Sequence, residues 1–286
     1  MAPLVWFITG ASSGLGLSLS LYVLAAGHHV IGTVRNTSKS VDAVKAIQAQ
    51  GGKILELDVT QADGIPHTVK KAESFYGKID VLVNNAGYSL LGAVEDLNDK
   101  EAALQMETNF FGPLRIIRAV LPGLRGNQSG TIVNVSSIAG MDALPSCGLY
   151  SASKFALEGL SESLARELAP FNISVLIVEP GAFRTNFLSA RQRNESGLSE
   201  PYKGGPVDTT LGLFESAQGK QKGDPEKAVA RIFEVVTGEG AAGGLKGKIL
   251  RLPLGPDCVG RMQAKLDKAS ADLNVAREFA LKTNYE

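Results

Sequence analysis

The sequence predicts an α/β protein: a doubly wound sheet of about seven parallel strands with helices on both faces. Three observations predict it: seven short apolar runs rich in β-branched residues, longer helix-patterned segments between them, and runs that stay apolar instead of alternating. Strands covered on both faces have that continuous pattern, and strands that alternate with helices pair in parallel.

In chain order, the first run is "LVWFI" (4–8), followed by "TGASSGLGLSLSLYVLAAG" (9–27), which opens the first helix. No Asp, Glu, Lys or Arg precedes Arg35. Glycines at 10, 14 and 16 nevertheless interrupt the apolar stretch well short of the roughly 20 residues a membrane span needs, and a basic leader is missing. A buried strand and helix of a soluble, cytoplasmic protein without membrane contact are expected. The strand runs "HVIGTV" (29–34) and "KILELDV" (53–59) enclose a helix at 40–50, and "IDVLVNN" (79–85) precedes a long helical segment at 101–124. "GTIVNVSS" (130–137) and "ISVLIVEP" (173–180) enclose a helix at 151–169. A helix at 224–236 leads to the last strand, "GKILRLP" (247–253). Residues 186–223 break this rhythm with a polar stretch rich in Gly, Ser and charge. A loop that long inside a domain is usually functional, and a substrate lid is expected there. Residues 255–286 read as a polar helical extension, either a solvated tail or an interface.

Charge excludes one class of partner. Twenty-nine basic residues balance 29 acidic ones with no block of either sign, so the electrostatic footprint of a nucleic-acid binder is missing. Two cysteines, Cys147 and Cys258, are too few for a disulfide framework or a zinc cluster. A small molecule is the natural partner, and no metal is expected.

Two motifs carry chemistry. The turn through Gly10, Ser12, Ser13, Gly14, Leu15 and Gly16 joins the first strand to the first helix. Such a turn brings backbone close to an anion at a helix N-terminus, a cradle for a pyrophosphate. A tight strand–helix junction is the competing explanation, and position directly after the first strand favours the nucleotide. At the end of the second strand an acid would select NAD(H), but none occurs before Asp42; Arg35 stands there instead. A guanidinium suits a 2′-phosphate, with Ser12 or Thr33 as hydroxyl helpers, so NADP(H) is expected. Tyr150 and Lys154, four apart, share one helix face. A nearby ammonium favours the phenolate, which lowers the phenol toward the range of general acid–base work.

"TGASSGLG" (9–16), "NNAG" (84–87), "NVSS" (134–137), "YSASK" (150–154) and "EPGAFRT" (179–185) stand in the order and spacing of one family. Over residues 4–252 the chain resembles the short-chain dehydrogenase/reductase family. Its variant is similar to ketone, steroid or retinoid reductases and enzymes of secondary metabolism. The resemblance implies a single Rossmann-type domain over 1–286, with Tyr150 as acid/base and Lys154 lowering its pKa and binding the nicotinamide ribose. It implies that Ser137, in preference to Ser136, holds the substrate oxygen, and that Asn109 ties a water to the lysine. Asp58 and Val59 would contact adenine, Asn85, Ala86 and Gly87 would pass close to the ribose, and Pro180, Gly181, Phe183 and Thr185 would receive the carboxamide. Asn84 reads as a structural amide.

The expected reaction is NADPH-dependent reduction of a ketone or aldehyde on a moderately large hydrophobic molecule. Met141, Leu144, Pro145, Phe183, Phe187 and the lid suggest the pocket. The alternatives are a same-fold epimerase, dehydratase or cyclisation enzyme, and a non-catalytic NADP-binding sensor. The resemblance also implies a homodimer or homotetramer built on helices near 100–124 and 148–170.

Overall fold

The computed structural model describes residues 2–188 and 190–285. Ser189 of the lid span, and Met1 and Glu286 at the two ends, lie outside the described residues. Its elements run β1 (Val5–Ile8), α1 (Gly14–Ala25), β2 (His29–Val34), α2 (Val41–Ala49), β3 (Lys53–Glu56), α3 (Gly64–Tyr76), β4 (Val81–Asn84) and β5 (Leu90–Leu91). Then come α4 (Asp99–Met106), α5 (Gly112–Asn127), β6 (Gly130–Val135), α6 (Gly148–Leu168), β7 (Ile173–Pro180), β8 (Gln192–Arg193), α7 (Pro206–Ala217), α8 (Pro225–Thr237), β9 (Arg251–Leu254) and α9 (Pro256–Ala280).

Seven strands form the main sheet in the order β3-β2-β1-β4-β6-β7-β9, all neighbours parallel. This is the predicted Rossmann-like sheet, and each predicted run supplies one strand. The period of two in β1 divides its residues between the faces. Val5 and Phe7 join a core with Ile65 and Val69 of α3, Ile116 and Val120 of α5, and Leu164 and Leu168 of α6. Trp6 and Ile8 face the opposite side with Leu19 and Val23 of α1 and Val229, Ile232 and Phe233 of α8. Trp6 stacks on Phe233 with ring centroids 6.0 Å apart. Burying one such side chain contributes about 1.5–3 kcal/mol, so the two cores fix which face each helix covers.

Helix ends follow local chemistry. Asn98 and Glu101 form a reciprocal capping box at the start of α4. Asp224 caps α8, whose first position is Pro225. The long helical segment predicted at 101–124 is divided by a π-helical stretch, Glu107–Phe111, which carries Asn109. The lid is more ordered than its composition suggests. β8 pairs with β5, and α7 packs Val207, Leu211 and Phe214 against Leu91, Leu144 and Cys147. Polar residues and the Gly204–Gly205–Pro206 punctuation hid this helix, whose apolar positions recur at 207, 211 and 214. Of the predicted extension, α9 is rooted by its buried Cys258, and every described residue from 263 onward is exposed.

β1 lies between β2 and β4, so the chain order reverses at that point. Open α/β sheets bind ligands in the crevice beyond the carboxyl ends of the strands at such a reversal. Gly10, Asn85, Ser137 and Gly181 follow the ends of β1, β4, β6 and β7 there.

Candidate active site

A single cleft of 890 Å³ runs along those strand ends. One end is backbone. Gly10 has φ +68°, and a Cβ on it would lie 2.9 Å from the Ala86 Cα, so the left-handed turn and the close approach both require glycine. Gly16 sits beneath, where a Cβ would meet the Asn85 Nδ2 at 2.4 Å. Thr9 locks the loops together: its Oγ1 accepts from the backbone N–H of Asn85 and of Ala86, both at 3.0 Å. The Asn85 side chain donates to the Thr9 carbonyl at 2.9 Å and the Gly10 carbonyl at 3.1 Å. Ser13 precedes α1 without capping it by its side chain, and no acid occupies the first turn. The first N–H groups of α1 thus meet no competing anion from that turn, which suits a phosphate.

Gly10, Ser12, Ser13, Gly14, Leu15, Arg35, Asp58, Val59, Asn85, Ala86, Gly87, Pro180, Gly181, Phe183 and Thr185 all line this cleft. Arg35 is exposed at its rim and makes no ion pair among the described residues. Two expected contacts lie elsewhere: Gly16 is under the turn, and Thr33 is 1% exposed inside the sheet, its hydroxyl without a partner among the described residues. Thr33 ends up there because β2 continues through Val34 between β1 and β3 and is buried on both faces.

The other end is built from side chains. Tyr150 and Lys154 project from α6, 7% and 5% exposed, with the Lys154 Nζ 5.9 Å from the phenol ring centroid. Ser137 lines the same cleft beside Tyr150, and its Oγ accepts from the Ala139 N–H at 3.1 Å. Ser136 points away, donating to Glu158 at 2.5 Å. Lys154 donates to the Val135 carbonyl at 2.8 Å. Asn109 is fully buried: its amide donates to the Tyr88 carbonyl and the Ser153 Oγ, both at 3.0 Å, and its Oδ1 accepts from the Tyr88 N–H at 3.2 Å. It stands behind Gly87, where a Cβ would be 3.1 Å from the Asn109 Oδ1 and 3.7 Å from the Lys154 Nζ.

The electrostatics correct one expectation. Burial pushes the Tyr150 phenol up to about 12 against the opposing hydrogen bond from Ser137, so desolvation and not the ammonium dominates. Burial also pulls Lys154 down to about 8, while Glu158 acts to raise it. Perturbed groups in a cleft mark a site of chemistry.

The substrate side is apolar, lined by Leu91, Leu144, Phe187, Leu188, Leu213 and Phe214. Phe187 lies beside Tyr150, ring centroids 6.0 Å apart. Met141 and Pro145 do not line the cleft. The sequence reading missed the root of α9: Asp257 accepts from the Ala182 N–H at 2.7 Å, Cys258 donates to the Glu179 carbonyl at 3.0 Å, and Arg261 holds Asp142 at 2.8 Å. These pairs span 75 or more residues, beyond any local signal; a Cβ at Gly181 would lie 2.3 Å from the Asp257 carboxylate. Among the described residues no helix is long and apolar enough to cross a membrane, and no three His, Cys, Asp or Glu residues gather as a metal site.

A family model described as short chain dehydrogenase matches residues 4–196. Oxidoreductase claN of Passalora fulva is 48% identical over 72% of this chain and 93% of its own. The 3-ketodihydrosphingosine reductase of Bacteroides thetaiotaomicron is 42% identical over 82% and 84%. A short-chain dehydrogenase structure from Streptomyces avermitilis superposes with a TM-score of 0.87 at 39% identity, covering 99% of each chain. A metagenomic short-chain oxidoreductase solved in complex with NADP has a TM-score of 0.59 at 31% identity, covering 63% of this chain and 83% of that one.

Proposed function

The chain belongs to the short-chain dehydrogenase family and is an oxidoreductase, and on that premise we propose that it reduces a ketone or aldehyde on a moderately large apolar molecule with NADPH. One observation carries the reading: buried Tyr150 and Lys154 one turn apart, with Ser137 beside them, at the apolar end of a cleft whose other end is the glycine turn.

The residues present fit a nicotinamide dinucleotide. The Gly10–Gly16 turn and the start of α1 would hold its pyrophosphate, Arg35 with Ser12 a 2′-phosphate, Asp58 and Val59 the adenine, and Asn85–Gly87 the ribose. Pro180, Gly181, Phe183 and Thr185 would meet the carboxamide. The bound group supplies hydride to the carbonyl carbon.

The protein's own contribution is proton transfer and orientation. Ser137 donates a hydrogen bond to the substrate oxygen. Tyr150, raised to about 12, keeps its proton at neutral pH and can deliver it to the developing alkoxide. Lys154 holds the ribose and offers its ammonium proton for resupply, with Asn109 fixing the wall beside it. Phe187 and the lid exclude water from the reacting carbon. We infer a homodimer or homotetramer in the cytoplasm; Phe111, just before α5, and Phe155, within α6, are exposed and support the assembly, which light scattering at micromolar concentration tests.

The testing experiment follows NADPH absorbance against a panel of aromatic and long-chain ketones, with Tyr150→Phe as control. One NADPH consumed per carbonyl reduced supports the reading. Product without NADPH consumption would point to an epimerase, dehydratase or cyclisation enzyme.

A further inference from the structure

Glu158 lies one turn beyond Lys154 on α6 and has no part in the steps above. It is 3% exposed. One carboxylate oxygen accepts from the Ser136 Oγ at 2.5 Å, and the other is held by the Arg251 guanidinium. Arg251, at the start of β9, also binds Glu179 on β7 and, at 2.6 Å, Glu162 one turn further along α6. Glu179 is fully buried, and its Oε2 has no partner among the described residues. Space beneath the Ser137 turn is made by Gly140, where a Cβ would lie 2.0 Å from the Glu158 Oε1 and 2.6 Å from the Ser136 Oγ.

We propose that Glu158, held by Arg251 and Ser136, is a positioning residue for the reaction: it anchors the turn that carries Ser137 and supplies the anion that the buried Lys154 ammonium needs. This rests on the reading of Tyr150 and Lys154 as the proton-transferring pair.

The charge count supports it. The groups facing Glu158 are Lys154 and Glu162 on α6, Glu179 from β7 and Arg251 from β9, with Ser136 neutral at the end of β6. Cys258 of α9 faces the Glu179 side. Burial first, and the neighbouring Glu158 second, push Glu179 up to about 7, so it holds a proton through the acidic range. Arg251 is shared among Glu158, Glu162 and Glu179, and Glu158 is the carboxylate that acts on Lys154. Removing the Glu158 charge leaves Lys154 with burial alone, which acts to strip its proton. The same change deprives Ser136 of its acceptor beside Ser137.

The test is the titration of Lys154 in the full chain carrying 13Cε-lysine, its resonance identified by loss in Lys154→Met. Glu158→Gln is expected to lower the Lys154 midpoint by about one pH unit, and Glu158→Asp to restore it toward wild type. If circular dichroism shows that Glu158→Gln does not fold, Gly140→Ala, which displaces the carboxylate and keeps every charge, carries the same expectation. An unchanged midpoint in a folded variant overturns the proposal. Turnover that survives Tyr150→Phe would instead break the catalytic reading, a separate failure that the lysine titration does not depend on.

Discussion

The two ends of the cleft are made of different material. The phosphate end is main chain, shaped by glycines and locked by Thr9 and Asn85, residues from two adjacent strand ends. The chemical end is side chain, held in place by groups as far apart in sequence as Ser137, Glu158 and Arg251, with the root of α9 behind. A backbone cradle binds anything with the right phosphates; a side-chain constellation decides what reacts. Substitutions at the first end should therefore alter binding, and those at the second turnover.

The largest expected effect is at the chemical end. Tyr150→Phe should lower kcat by about 10²- to 10⁴-fold while NADPH still raises the melting temperature. Loss of the melting shift together with turnover would mean that the ends are not separable. Next is Gly10→Val, which places a β-branched residue at φ +68° against Ala86. Nucleotide-dependent stabilisation should disappear, read by thermal melting with and without NADPH. A retained shift would remove the pyrophosphate from that turn.

Lys154→Met sharpens the comparison through stability. A buried lysine lowered from 10.5 to about 8 disfavours the fold by on the order of 3 kcal/mol at neutral pH. Between about pH 8 and 10.5 the unfolded chain still holds the proton that the folded chain has released, so wild-type stability rises with pH across that window. Denaturant titrations should find the methionine variant more stable at pH 7, the gap closing toward pH 10.5, and inactive throughout. A variant no more stable than wild type at pH 7 would show that the site relieves the burial in another way.

Smaller effects come from the rims. Arg35→Ala should weaken NADPH binding by about tenfold or more, the worth of a charge-assisted contact, and leave NADH binding unchanged. Equal loss for both nucleotides would take the 2′-phosphate away from Arg35. Phe187→Ala, in the lid beside Tyr150, should raise KM for apolar ketones by a few-fold with kcat nearly intact.

The same contrast sets how much the sequence made legible. Each strand run, the glycine turn and the Tyr150–Lys154 face are local patterns, carried by periodicity and spacing within a few residues. Glu158 was within reach too, at four residues past Lys154. Thr33 shows where local reasoning fails: a hydroxyl one residue before the end of β2 was expected in the cleft, and a strand covered on both faces buries it. The phenol's high pKa was out of reach for a related reason, because proximity of Lys154 is written in the chain and depth of burial is not. α7 was masked by composition, and the Asp257–Ala182 and Arg261–Asp142 contacts depend on how the last strand delivers α9 to the site.

That delivery matters during synthesis. Chains emerge N-terminal part first, and domains generally fold as units. A nascent chain that has released α6 already carries Tyr150, Lys154 and the glycine turn. It lacks Arg251, Asp257 and Arg261, which brace Glu158, the turn after β7 and the loop after Ser137. The chemical end therefore stays unbraced until the root of α9 has been delivered, whereas the glycine turn is locked by contacts between the ends of β1 and β4 alone.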